Sequence, residues 1–430
     1  MKAKHTDIAS SRPLGVAKSL GGPVLDEATI FSRDVILTGE QAALETNNGR
    51  WCLLNSLRLL SRVVGPLTVV LPHGMDVLQE EVRQLADKVW SRGAVMVVNE
   101  VPPVALRNAT AILSIGSAVH PNLPWTTINA NGWVARVTSG TDALPGDTEQ
   151  SNPLSAMMAA SLGVTEVFKR VYGIPLKNSP LLEATQFSLF ELSTSPSDIG
   201  PPLPPMHLLP DTVMVGAGAI GNGIALLLSQ LSVRGRVHII DKQDYADENF
   251  GTCVLLDDKS WLGESKAECL ASWLSDDAGL HCSGEQAFVA DARSGEAIKK
   301  MSVDLVLNGL DDVQARHDTQ LLWPSVLVDG GINAVGVAVV THRLDRPQGA
   351  CMRCTFRLPV LDKRLLQAKT TGFSNASLDS DHGRQLNQLD VTQAEESHRP
   401  WLRDQIAQGK TVCATITDSK SRLLGLRTYP

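Results

Sequence analysis

The stretch DTVMVGAGAIGNGIALLLSQL, Asp211–Leu231, is the part of the sequence from which the fold is read. A short apolar run, Thr212–Val215, predicts a strand that enters Gly216-x-Gly218-x-x-Gly221 and then an apolar helix over Ile220–Leu231. Each glycine answers a geometric demand. Gly216 permits a tight turn, Gly218 lets a phosphate approach the backbone, and Gly221 lets the helix pack closely on the strand. The helix N-terminus then offers unpaired N–H groups and the positive end of its dipole to an anion. A second predicted strand, Val237–Ile240, ends at Asp241, twenty residues beyond Gly221, where an acid accepts hydrogen bonds from ribose hydroxyls. Strand, glycines, helix, strand and acid in register predict a nucleotide-binding Rossmann-like unit.

A second α/β unit lies upstream. Leu67–Leu71 (LTVVL), Ala94–Val98 (AVMVV) and Thr110–Ile115 (TAILSI) read as buried strands, with helical patterns over Trp51–Val64 and Val77–Trp90. Strands alternating with helices predict a mostly parallel sheet. This half lacks a glycine-rich phosphate loop, and a supporting scaffold is its plain reading. Five prolines in Ser197–Pro210 favour an extended connection. The expected organisation is a mobile tail over 1–28, a phosphate-loop-less α/β domain over 29–180, a proline-rich linker over 181–210, and the nucleotide-binding domain over 211–430. Within the last, the polar stretch 361–410 reads as an insertion or mobile crossover.

Composition bounds the function. The chain has 430 residues, which suits two or three domains, and 43% of them are hydrophobic, enough for real cores. A net charge of −7 argues against a nucleic-acid surface. No apolar run reaches the roughly 18 residues a membrane helix needs, and the N-terminus has no apolar stretch behind its basic residues. Seven scattered cysteines point to reduced thiols and a cytoplasmic protein.

Beyond Asp241 the sequence continues DKQDYADENFGTCVLLDDKSWLGESKAECL, with DLVLNGLDDVQARHD further on. From about Asp211 onward it resembles the ThiF/MoeB/ubiquitin-activating superfamily of adenylating enzymes. In that family the ribose-binding acid is followed by an asparagine, a Gly-x-x-Lys and a strand ending in an aspartate. Asp241, Asn249, Gly263, Lys266 and Asp311 stand at those positions, and Arg316 on a downstream arginine. The resemblance implies a ThiF-type domain that uses ATP and Mg²⁺ to adenylate a carboxylate. In such a reaction Lys266 would meet phosphate charge, Asp311 would hold Mg²⁺, and Asn249 would bond phosphate or metal-bound water. The family's Arg-Gln pair just after the asparagine is replaced here by Thr252 and Cys253.

The resemblance also implies partners. The leading substrate is the C-terminal carboxylate of a small ubiquitin-like protein, with a conjugating enzyme downstream and a homodimer among the allowed assemblies; bacterial enzymes of this kind can serve antiviral defence. A peptide or sulfur-carrier protein in cofactor or peptide-antibiotic synthesis is the alternative substrate. A nicotinamide-dependent dehydrogenase and an inactive nucleotide-binding scaffold stay open as other classes. Cys413 matches the family's nucleophilic cysteine, which would form a thioester with the carrier, although a cysteine buried in a strand reads equally from the residues. Only 17 residues follow it, where the family normally continues, so an abbreviated or truncated chain is expected. Cys351 and Cys354 form a C-x-x-C of the kind that supplies half of a family zinc site. A closed zinc site needs four ligands, so either His342, His382 or His398 completes it, or the pair holds no metal.

Overall fold

The computed structural model describes residues 6–118, 124–146, 150–177, 179–257, 259–278, 280–332, 337–344, 350–356, 363–381, 383–416 and 418. They fall into two compact units, Met1–Phe356 and Arg357–Pro430. The larger holds two sheets of mixed α/β architecture.

The first sheet comprises β1 (Asp34–Gly39), β2 (Leu67–Val70), β3 (Val95–Val98), β4 (Ala109–Ile115), β5 (Trp125–Asn131), β6 (Val134–Thr138) and β7 (Thr185–Ser188), in the order β3-β2-β1-β4-β5-β6-β7. It is parallel from β3 to β5 and antiparallel beyond. Val35, Leu37, Val69, Leu113 and Ile128 are buried without residue, as are Cys52, Leu53, Leu57 and Leu60 on the helix Asn47–Val63 that packs on them. β-Branched and leucine side chains facing one helical stripe explain this half.

The second sheet comprises β9 (Thr212–Val215), β11 (Arg236–Ile240), β12 (His281–Glu285), β13 (Leu305–Asn308), β14 (Val326–Ile332) and β15 (Val337–Arg343), in the order β12-β11-β9-β13-β14-β15. All neighbours are parallel except β14 and β15. The chain winds from β9 out to β12 and returns to β13 on the other side. The gap between β9 and β13 is therefore the topological switch point, where open parallel sheets bind ligands.

Two segments depart from expectation. The N-terminal stretch read as a mobile tail contains a helix, Thr6–Ser19, whose Ala17 is buried in the first core with Leu14 against it. The proline-rich stretch supplies β7 to the first sheet, and β8 (His207–Leu208) pairs with β10 (Val233–Arg234). Proline lacks an N–H only at its own position, so short strands form between prolines.

The smaller unit is helical. Lys363–Thr371, Asn375–Asp379, Gln388–Gln393 and Arg399–Ala407 surround Phe373, Leu378, Val391, Leu402 and Val412. Arg384 donates two bonds, of 2.7 and 2.6 Å, to Asp390. The polar stretch expected as a crossover thus has its own small core. No described helix is long and apolar enough to cross a membrane.

Candidate nucleotide site

The glycine turn has the geometry its sequence demands. Gly216 sits at φ +94°, in the left-handed region that favours glycine. A Cβ on Gly221 would lie 2.2 Å from the Gly216 carbonyl oxygen, so helix and turn touch backbone to backbone. A Cβ on Gly218 would meet nothing within 4 Å, which leaves its face open. Gly218 caps the helix Ala219–Gln230 without any side-chain bond to its first turn, whose N–H groups are thus not taken up by a cap side chain.

The cleft beside it, about 370 Å³, runs along the carboxyl ends of β9, β11 and β13. Val215, Ile240 and Leu310 give it an apolar floor, Phe288 a wall, and Asp241, Lys242, Gln243 and Asp311 its polar edge. Asp241 accepts N–H bonds from Ala217 (2.7 Å) and Gln243 (2.8 Å). It therefore ties the glycine turn to the end of β11 and keeps further lone pairs for hydroxyl donors. Asp311 is exposed in the cleft, whereas Asp312 caps the helix Val313–Gln320 by accepting from Ala315 N at 2.8 Å. The division leaves Asp311, a hard oxygen donor, available to a divalent cation.

Lys266 is buried, and its Nζ donates to Gln243 Oε1 at 2.9 Å and lies 5.9 Å from the centre of the Tyr245 ring. Gly263 at φ +83° makes the turn that delivers Lys266 to the start of its helix, Lys266–Ala278. Lys266 thus meets the cleft through Gln243. Asn249 has a local task as well: its Oδ1 accepts from Ala246 N at 2.9 Å. Arg316 is not in the cleft wall. It is buried, donates to Leu310 O at 2.9 Å, lies 3.3 Å from Asp329 and covers Phe356. Burial raises the Asp329 carboxyl, with Arg316 and Asn308 opposing. Arg316 therefore steadies the backbone leading to Asp311.

Three participants were not read from the sequence. Asn222, fully buried, donates to Ala217 O (2.8 Å), Gly218 O (3.0 Å) and Tyr245 Oη (3.1 Å), and accepts from Leu255 N (3.2 Å). Its only signal was a polar residue in an apolar helix. Lys242 is a cation on the cleft edge, 4.5 Å from the centre of the Phe288 ring, and Gln243 links Lys266 to Asp241. Both directly follow the ribose-position acid. Burial pushes the Cys253 thiol up, with Lys266 opposing.

Cys351 and Cys354 stand 3.5 Å apart, sulfur to sulfur, at the start of the short helix Met352–Thr355. Among the described residues, no third histidine, cysteine, aspartate or glutamate joins them in a metal-binding group. His342 is buried with its Nδ1 2.7 Å from Ala350 O; His398 lies beside Ser397 and Glu395; His382 lies outside the described residues. Among the described residues the two thiols supply only half of the donors a tetrahedral zinc ion needs. Cys413 belongs to the smaller unit, exposed in a helical turn, which removes the reading of a cysteine buried in a strand. Its neighbour Lys410 pairs with Asp418 at 3.2 Å.

Two segments of the chain match known families. Residues 34–179 match the BilD N-terminal domain and residues 211–415 the ThiF family. The uncharacterized protein y4jF of Sinorhizobium fredii is 25% identical over 338 residues, 77% of this chain and 62% of that protein. The chain thus spans about three fifths of the curated relative it matches. Among solved structures, E. coli MccB with ATP is 17% identical over 29% of this chain and 37% of its own, with a TM-score of 0.24. E. coli tRNA N6-threonylcarbamoyladenosine dehydratase, TcdA, is 21% identical over 28% of this chain and 52% of its own, also with a TM-score of 0.24. The chain carries a Rossmann-like ThiF family domain at 211–415, behind a BilD N-terminal domain at 34–179.

Proposed function

We propose that the chain is an ATP-dependent adenylyltransferase acting on the C-terminal carboxylate of a small ubiquitin-like protein. The observation that carries the reading is the cleft at the β9–β13 switch point, where an open glycine turn, Asp241 and Asp311 converge, with Lys266 one residue behind. The ThiF match over 211–415 supports the same class. A carboxylate oxygen of the carrier attacks the α-phosphorus of ATP, the bond to the pyrophosphate oxygen breaks, and acyl-adenylate forms. Asp241 holds the ribose, and the N–H groups after Gly218 receive phosphate oxygens. Lys266 turns from Gln243 toward the charge gathering at phosphorus. Asp311 is the residue to hold Mg²⁺, which supplies neutralising charge to the phosphates when bound. Cys413 then takes the acyl group as a thioester, releasing AMP, in the part of the proposal that concerns a carrier.

The test is ATP/pyrophosphate exchange driven by a synthetic peptide with a free C-terminal carboxylate. Lys266→Ala and Asp311→Ala should each lower exchange at least about a hundredfold, the size of losing one charge-stabilising group. Exchange that survives both substitutions refutes the assignments. A carrier adduct on Cys413, cleaved by thiol and absent in Cys413→Ser, separates thioester transfer from simple adenylation of a peptide.

A further inference from the structure

The structure assigns Arg62, in the first α/β domain, as the positioning residue for the glycine turn of the second; the assignment deepens the reading just proposed and rests on it for the ligand. Arg62 lies on the helix Asn47–Val63 and is 3% exposed. Its Nη2 faces the loop after Asn249, donating to Val254 O at 2.9 Å, Leu256 O at 3.3 Å, Cys253 O at 3.4 Å and Asp257 Oδ1 at 2.8 Å. Its Nη1 donates back to Arg58 O at 3.0 Å, and Arg58 in turn reaches the other Asp257 oxygen at 2.7 Å. A guanidinium is always charged and presents donors in a rigid planar fork, so it can gather several carbonyls of one loop.

The loop it holds carries the signal to the nucleotide turn. Leu255 N, between the gripped carbonyls of Val254 and Leu256, donates to Asn222 Oδ1. Asn222 Nδ2 then holds the carbonyls of Ala217 and Gly218, the two residues whose orientation opens the phosphate face. The same first-domain helix also grips the far end of the glycine-turn helix. Asn55 and Gln230 exchange reciprocal amide bonds of 3.3 and 2.9 Å, with Asn55 wholly buried. One helix of the phosphate-loop-less domain therefore fixes both the loop in front of the nucleotide helix and its last turn. Arg62 does not stand in for the cation missing at Thr252 and Cys253. Both of its terminal nitrogens are taken up by carbonyls and Asp257, so it acts on the nucleotide through Asn222.

The experiment uses the full chain and two readouts, calorimetry with Mg·ATP and hydrogen exchange without ligand. Arg62→Met should weaken Mg·ATP binding about tenfold and speed exchange at the amides of 216–222 and 252–257. Arg62→Lys, which keeps a charge and three donors, should recover part of both. Leu37→Ala, deep in the first core, should lower the melting temperature while leaving the affinity of the folded protein unchanged. Should Arg62→Met fail to fold, Arg62→Lys carries the same test, since one ammonium holds fewer of the four acceptors and should speed the same amides to a lesser degree, and Asn222→Leu, which removes only the last step, should speed 216–222 while leaving 252–257 protected. Unchanged exchange at 216–222 in folded Arg62→Met, or in the fallback pair, overturns the inference whether or not ATP binds. Absence of Mg·ATP heat in the unsubstituted protein instead overturns the adenylyltransferase reading, and leaves the exchange result to decide the relay.

Discussion

The three glycines of the turn should separate stability from binding when each is replaced by alanine. At Gly221 the added Cβ would sit 2.2 Å from the Gly216 carbonyl oxygen, about 1 Å inside ordinary carbon–oxygen contact. Neither partner is a flexible side chain, so helix and turn must part, at about 3 kcal/mol for overpacking of this kind. Alanine's better helix propensity offsets at most about 1 kcal/mol of that, since Gly221 lies in the helix's first turn. The net of about 2 kcal/mol should lower the melting temperature by roughly 4–8 °C. At Gly218 the Cβ meets nothing within 4 Å at a φ of −76°, so the fold loses only about 0.5 kcal/mol for a poorer N-cap. The same methyl group fills the face left for phosphate, and Mg·ATP affinity should fall about a hundredfold, roughly 2.7 kcal/mol. Gly216→Ala, at φ +94°, should cost about 1–2 kcal/mol of backbone strain and weaken binding as well. Thermal melts and calorimetry on the same three preparations give the answer. A Gly218→Ala protein that binds Mg·ATP like its parent removes the phosphate from this turn, and a Gly221→Ala protein that melts like its parent removes the close approach.

Three other outcomes follow from particular contacts. Burial pushes the Cys52 thiol up to about 12, so the folded thiol stays protonated where the unfolded one ionises near 9. The stabilisation is complete below pH 9 and declines as pH rises toward 12, and Cys52→Ala should flatten that part of a stability–pH profile measured by denaturant titration. Glu40→Ala removes the carboxylate that accepts from Ser117 N and Ala118 N and should cost about 1–3 kcal/mol in a thermal melt; no loss would show those donors satisfied by water. Chelation should leave the melting temperature unchanged, and the double change Cys351→Ser with Cys354→Ser should stay within about 0.5 kcal/mol. One zinc per chain by elemental analysis, lost in the double variant, would count against it.

What could be read from the sequence was what the backbone itself demands. Gly216, Gly218 and Gly221 were legible because turn, approach and packing each exclude a Cβ, and Asp241 because a strand of fixed rise ends there. Asp311 was legible as an acid at the end of an apolar strand. The partners of Lys266 and Asn249 were not, since Gln243 and Ala246 engage them through a loop with no periodicity. Arg62 was illegible for a sharper reason. Apart from Arg58 O and the Asp257 carboxylate, its partners are backbone carbonyls about 190 residues away, and a carbonyl leaves no mark in a sequence. β7 and the helix Thr6–Ser19 were missed because a strand of four residues is too short to declare an alternation, and because Pro13 lies inside the N-terminal helix.

The two sheets carry the same crevice and treat it oppositely. In each the chain winds outward from a central strand, β1 to β3 or β9 to β12, and returns on the other side as β4 or β13. A ligand site is thus available twice by topology alone. After β9 comes Gly216, and the face of Gly218 stays open. After β1 comes Glu40, whose carboxylate turns into the crevice and takes the N–H groups of Ser117 and Ala118 at 3.2 and 2.7 Å. Gly116, at φ +148°, makes room for it, since a Cβ there would lie 2.6 Å from that carboxylate. The first sheet sets its own carboxylate at the place that, on the proposed reading, the second leaves open for a phosphate. Nucleotide exchange, on that reading, makes no demand on the crevice of the first domain. The helix Asn47–Val63 can then serve as a fixed support, reaching Asp257 directly and Asn222 through Leu255.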